Sequence, residues 1–535
     1  MSGARGTRGR RGGGAALIAA GILLSRIFGL VRTRLLGHFL GTGDASDALA
    51  AAIKIPNVLQ NLFGEGVLSA SFIPVYARLL ADGDEDEAGR VAGAIGALLA
   101  LTSAVLVLLG ILLAPMAIPL IAPGFSGEKR QLTVLLVQVM FPGVGLLALS
   151  AWALGVLNSH GRFFLSYASP VAMNVVMIIA LLHFGPGLYQ TEPGQVQLST
   201  LIAWASVVGS VAQFAVQLPT VWHVERRLRF DVAMRGANVR TVATNFVPVF
   251  IGRGVVQVSA YADSVIASLV GSGAVAILGF AQVITMLPVS LFGMSVSAAE
   301  LPAMSRETGD DDAIAAALRG RLRDGLSRIA FYVIPSAVAF VALGDIIAAA
   351  LMQTGKFART DVVWLWGVLA GSAVGLLAGT LGRLYSSTWY ALRDTKTPLR
   401  FALVRVALTI SLGLVAALRL PAWIGIDARW GVAGLTASAG VAAWVEFLLL
   451  RRSIARRIGD AGFELREVVP LWFFALIAAL PAWGVKLAIG PDRPLLLGLI
   501  ALPLYGGAYY AAAVAAGVAE ARAASGRVAR LLGLD

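Results

Sequence analysis

No cysteine occurs in the 535 residues, so disulfides, thiolate nucleophiles, zinc-thiolate sites and iron-sulfur clusters are all excluded. Charge is nearly as scarce: Asp, Glu, Lys and Arg together make up 14% of the chain, against about a quarter of an ordinary soluble domain. The four histidines, His38, His160, His183 and His223, are scattered without metal-ligand spacing. No P-loop, nucleophile elbow or zincin motif appears, so nothing points to nucleotide hydrolysis or to an enzyme. What fills the chain is 58% hydrophobic residues with a mean hydropathy of +0.80. Its 60 glycines and 21 prolines lie within long hydrophobic stretches, where membrane helices tolerate them. The fold class is an all-α polytopic membrane protein.

Windows of about 20 apolar residues cross a hydrocarbon core of ~30 Å. They place spans near 15–37, 46–77, 91–122, 131–157, 164–184 and 198–222. A second set lies near 241–270, 274–303, 329–352, 362–391, 398–417 and 430–450, and two more near 467–487 and 494–517. With fourteen spans and a cytoplasmic start, 28 of the 43 Lys and Arg fall in cytoplasmic segments and 8 outside. The positive-inside rule then puts both termini in the cytoplasm, and the net charge of +13 needs no nucleic-acid partner. An Arg-rich start ahead of apolar residues has the layout of a signal peptide, but no small-residue cleavage site follows and the apolar run continues to Leu36. Residues 1–14 are therefore expected to be a disordered basic tail.

Comparing the chain with itself reveals a repeat. Ser69-Ala70-x-x-x-Pro74-x-x-x-Arg78 returns as Ser297-Ala298-x-x-x-Pro302-x-x-x-Arg306, Gly41-Thr42-Gly43 as Gly271-Ser272-Gly273, and Phe63-Gly64 as Phe292-Gly293. Pro123-Gly124-Phe125 has a counterpart in Gly355-Lys356-Phe357, and matches in order, 228 to 232 residues apart, argue for two six-helix bundles of the same orientation, the parallel-repeat transporter layout with a substrate site between the halves. The expected domains are the tail 1–14, a first lobe 15–225, a second lobe 226–452, two further spans in 453–520 and a cytoplasmic tail 521–535.

The stretch Ser25-Arg26-Ile27-Phe28-Gly29-Leu30-Val31-Arg32, continued by Ser46-Asp47-Ala48, Lys54-Ile55-Pro56-Asn57, Phe63-Gly64-Glu65-Gly66 and Ser71-Phe72-Ile73-Pro74, resembles the start of MurJ/MviN proteins. Gln217-Leu218-Pro219, Gly355-Lys356-Phe357 and Asp394-Thr395-Lys396-Thr397-Pro398 carry the likeness along most of the chain. That resemblance implies a lipid II flippase of the multidrug/oligosaccharidyl-lipid/polysaccharide exporter superfamily: fourteen helices in two lobes around a cavity, with the last two forming a groove for the lipid tail. It implies carriage of undecaprenyl-diphosphate-linked peptidoglycan precursor across the bacterial cytoplasmic membrane by alternating access, with membrane lipids and the cell-wall synthesis machinery as partners.

Ionisable groups inside spans are costly and mark function by default. Arg26 and Arg32 on span 1 offer planar forks suited to a lipid diphosphate; the alternative is an ion pair with Glu65 that locks helices together. Arg34, nearer the outer end, suits a snorkel to the interface. Asp47, Lys54, Gln60 and Glu65 on span 2 complete the substrate-binding candidates of the first half. Where the family often has charged residues this chain has Thr33, Gln60 with Asn61, and Gln282 with Val283; Arg253 on span 7 is read as restoring the cavity cation lost at Val283. Asp263 is the only acid on span 7, and in relatives an acid there belongs to a sodium site. Thr409, Ser411 and Ser438 offer oxygens, with Glu446 the one carboxylate on spans 11 and 12. The acidic runs 82–87 and 310–312 read as solvated turns. Rival functions are export of another polyprenyl-linked glycan, ion-coupled drug export on the same fold, or a non-transporting cell-wall scaffold.

Overall fold

A computed structural model of the chain describes residues 6–61, 68, 71–230, 236–244, 246, 261–307, 310–462, 465–523 and 525. The described residues are nearly all helical and divide into two compact units, 1–268 and 269–535. Among the described residues eleven helices are long and apolar enough to cross a bilayer, and they overlap expected spans 3–6 and 8–14. The three remaining spans carry the polar residues of interest. Span 1 holds three arginines, the described helix of span 2 stops at Asn61, and span 7 is described only at its two ends.

The first unit contains α1 (Gly6–Leu40), α2 (Asp44–Asn61), α3 (Ile73–Ala81), α4 (Glu85–Ile121), α5 (Gly127–Ser159), α6 (Phe163–Ala168), α7 (Pro170–Leu188) and α8 (Glu192–Val224). It also takes in the start of α9 (Ala262–Val270). At 35 residues, α1 is about 52 Å long, far more than a bilayer needs. It begins at Gly6, inside the stretch expected to be a disordered tail. Its core gathers Phe72, Tyr76, Val91, Ile95, Trp152 and Val156, and the Trp152 indole donates to the Ala92 carbonyl at 2.9 Å. After α8 the chain doubles back along α4, where the Arg229 amide donates to the Gly89 carbonyl at 3.4 Å. A Cβ at Gly89 or Gly93 would collide with that backbone. Tyr76 donates to Glu225 at 2.7 Å and lies 2.9 Å from His160; burial holds the His160 imidazole below its usual range.

The second unit comprises α10 (Ala274–Pro288), a π-helical turn (Val289–Met294), α11 (Ser295–Met304), α12 (Asp311–Ala342), α13 (Gly344–Met352), α14 (Arg359–Ala391), α15 (Lys396–Leu418), α16 (Leu420–Ile424), α17 (Gly431–Ile458), α18 (Leu465–Ile489) and α19 (Pro494–Ala515). Small residues let α14 and α17 touch along a seam, as in other membrane helix pairs: Gly367 faces Trp430, Gly371 faces Ala433 and Thr436, and Gly375 meets Gly440 backbone to backbone. Gly375→Val is expected to force the two helices apart and cost on the order of 1–3 kcal/mol by overpacking, read as a lowered melting temperature of the purified protein. The last two helices are fastened to α12. Tyr505 and Tyr509 donate to the Pro335 and Phe331 carbonyls, each at 2.7 Å, the Trp483 indole donates to Ala342 at 2.8 Å, and Arg323 pairs with Glu467.

One turn recurs. α5 ends with Gly161 at φ 73°, its amide donating to Asn158 and that of Arg162 to Leu157. α14 ends with Arg393 at φ 61°, with the same pair of bonds running from Arg393 to Tyr390 and from Asp394 to Trp389. These are Schellman-type closures 232 residues apart, within the spacing of the sequence repeat. Asp394 then caps α15 through the Thr397 hydroxyl and the Thr397 and Lys396 amides, bonds that hold its carboxyl below the usual range.

Candidate substrate-binding site

Arg32 lies on α1 eight residues before Leu40, about 12 Å of rise from the helix end. Its guanidinium turns into a small cavity within the first unit, lined also by Ile53 of α2, Met140 and Gly143 of α5, Met173 and Met177 of α7, and Ser206 and Ser210 of α8. Among the described residues Nη1 reaches only the Met177 thioether, at 3.9 Å, and the buried Nε has no hydrogen-bond partner there. Among the described residues no carboxylate pairs with it. A thioether is a weak acceptor for a group with five donors, and a buried charge left unpaired is strongly destabilising. The arrangement calls for an anion.

Lys54, half-buried on α2, donates to the Ser264 hydroxyl, while its carbonyl accepts from the Tyr261 hydroxyl at 2.8 Å. Asp263 and Asp47 lie within its electrostatic reach. Asp47 is wholly buried but committed elsewhere: Lys129 lies 2.5 Å from it and 2.8 Å from Asp44, its ammonium 4.3 Å from the Phe125 ring centre. Arg26 is exposed on α1. Thr33, where relatives often carry an acid, is buried and spends its hydroxyl on the Gly29 carbonyl at 2.8 Å. Gln60 stands in the last turn of α2, whereas Glu65 and Arg253 lie outside the described residues.

Glu446 is taken by Arg405 at 3.1 Å. The Ser411 and Ser438 hydroxyls donate to Leu408 and Leu435 carbonyls of their own helices. Among the described residues no three His, Asp or Glu side chains come close enough to hold a metal. Sequence reasoning missed the cavity walls. The signal was present: Met173 with Met177 and Ser206 with Ser210 are i, i+4 pairs, each on a single helix face.

A family model described as lipid II flippase MurJ matches residues 36–488. The chain is 31% identical over 442 residues to the lipid II flippase MurJ of Burkholderia cenocepacia, covering 81% of this chain and 82% of that one. To the probable lipid II flippase MurJ of Vibrio cholerae it is 27% identical over 498 residues, with 88% and 90% covered. Among solved structures, a lipid II flippase MurJ in an inward closed conformation superposes with a TM-score of 0.75 at 22% identity, covering 92% of this chain and 98% of that one. An inward-facing multidrug resistance MATE transporter superposes at 0.62 with 17% identity, covering 83% and 98%. At these identities the structural likeness speaks for the fold.

Proposed function

The chain belongs to the lipid II flippase MurJ family, and from that premise we propose that it carries undecaprenyl-diphosphate-linked peptidoglycan precursor from the inner to the outer leaflet of a bacterial cytoplasmic membrane, with Arg32 holding the diphosphate. The observation that carries the role of Arg32 is its buried guanidinium, which meets a methionine sulfur and no carboxylate among the described residues. A phosphate oxyanion supplies the missing acceptors in the fork geometry that arginine prefers.

In this reading the chain has fourteen spans in two six-helix lobes plus two helices for the lipid tail, and both termini are cytoplasmic. The recurring turn at Gly161 and Arg393 supports the duplication, and the bonds from α18 and α19 to α12 support the last pair belonging with the second lobe. Transport proceeds by alternating access. Arg26, Lys54, Gln60, Glu65 and Arg253 line the cargo path, Asp47 anchors Lys129, and the cargo is delivered to the cell-wall synthesis machinery outside. A sodium ion at Asp263 stays part of the proposal, with Glu446 committed to Arg405. Drug export is the weaker reading, since the multidrug transporter covers less of the chain at a lower TM-score.

Expression in cells depleted of their own lipid II flippase tests the function. Restored growth and shape are expected; lysis despite full-length protein in the membrane would contradict it.

A further inference from the structure

In the first half, spans 4, 5 and 6 contain no Asp, Glu, Lys or Arg across residues 131–161, 163–191 and 193–224. Their counterparts in the second half, α14, α15 and α17, carry Arg383, Arg405 and Glu446 well within the bilayer. Arg383 stands eight residues from the end of α14 at Ala391, about 12 Å of rise, and Arg405 nine residues from the start of α15 at Lys396, about 14 Å. The copy without charges packs into the same kind of bundle, so these three groups are not a requirement of packing. Charge at that depth is expensive and faces protein or water.

The three share one level of the second unit. Arg405 Nη1 is 3.1 Å from Glu446 Oε2, the glutamate side chain 11% exposed and the arginine 42%. Next to Glu446, Phe447 meets the Tyr385 ring edge-on with centroids 5.6 Å apart, and Gly382 faces Leu450. Arg383 sits between those two contact positions of α14, feels the charges of both Arg405 and Glu446, and is exposed. One turn earlier Gly379 faces open space, with nothing within 4 Å of a Cβ placed there. Arg383 forms no salt bridge among the described residues. Two guanidiniums against one carboxylate leave one positive charge uncompensated, beside an opening.

We propose that Arg383, next to the Arg405–Glu446 pair, is a second phosphate-binding centre, sited in the second unit and taking the diphosphate of a polyprenyl-linked cargo. Glu446 fixes Arg405 in place, and the fork of Arg383 remains available to phosphate oxygens. This inference rests on the flippase reading above and adds to it a residue set that the first half lacks.

The test measures binding of farnesyl diphosphate and of farnesol, a matched pair with and without phosphate, to the full-length protein in detergent. Wild type is expected to prefer the diphosphate. Arg383→Gln is expected to lose about tenfold in affinity for it, as for a lost charge-assisted bond, with farnesol binding and melting temperature unchanged. Arg383→Lys, which keeps the charge without the fork, is expected to fall between the two. If Arg383→Gln binds the diphosphate like wild type while Arg32→Gln is weakened, the second centre is refuted and the flippase reading stands. A wild-type protein with no preference for the diphosphate contradicts both.

Discussion

Arg32→Ala is expected to abolish rescue of cells lacking their own lipid II flippase, while the protein accumulates to wild-type levels and melts at the same temperature or higher. The two halves of that result come from one fact. An arginine held by a carboxylate stabilises its fold, and truncating it leaves a buried acid alone, at a cost of about 3–5 kcal/mol. Arg32 has no such acid among the described residues, only the Met177 sulfur, so its removal relieves a burial cost and leaves no charge stranded. Its contribution appears only when a phosphate enters, where each charge-assisted bond is worth about 1.5–3 kcal/mol; losing a bidentate pair weakens cargo binding on the order of a hundredfold or more. Arg32→Lys, a point charge without the fork, is expected to rescue poorly. A variant that unfolds instead of failing to transport would show that Arg32 is a structural cation with an acid partner.

The opposite sign is expected at Lys129. This lysine neutralises Asp47, a carboxylate with no solvent exposure, and Lys129→Ala takes its ion-pair partner from that charge inside the first unit. The expected loss is about 3–5 kcal/mol, seen as a fall in melting temperature of the purified protein and reduced levels in the membrane. Replacing both partners with apolar residues, Asp47→Leu with Lys129→Met, is expected to recover most of the loss, because an apolar pair of similar volume removes the buried charge. Equal damage in the single and double variants would show that the carboxylate itself has a role beyond pairing.

Eleven of the expected spans and the family were legible because both are written in one dimension. Runs of apolar residues the thickness of a bilayer, and motifs such as Lys54-Ile55-Pro56-Asn57, need no knowledge of which helix faces which. The partners of the intramembrane charges were not legible, because pairing is set by helix packing. Nothing in the spacing joins Asp47 to Lys129, 82 residues later, or Glu446 to Arg405, 41 residues earlier. For the same reason Asp47 read as a cargo residue, whereas among the described residues its carboxylate meets Lys129. The start of α1 shows a further limit. The helix starts at Gly6, where a basic stretch alone suggested an unstructured tail. A repeat was expected from glycines and prolines, and the turn that supports it, a left-handed residue closing α5 and α14, is Gly161 in one and Arg393 in the other, a difference that hides the match in the sequence.

The most direct measurement is of the leaflet in which the precursor resides. In cells depleted of their own flippase and supplied with this chain, a diphosphate-cleaving enzyme added outside the cytoplasmic membrane should reach and cut newly made lipid II. With the Arg32→Ala chain at matched expression, the lipid should stay intact. Cleavage at the same rate with either chain, or in cells given neither, would contradict translocation through an arginine-dependent site.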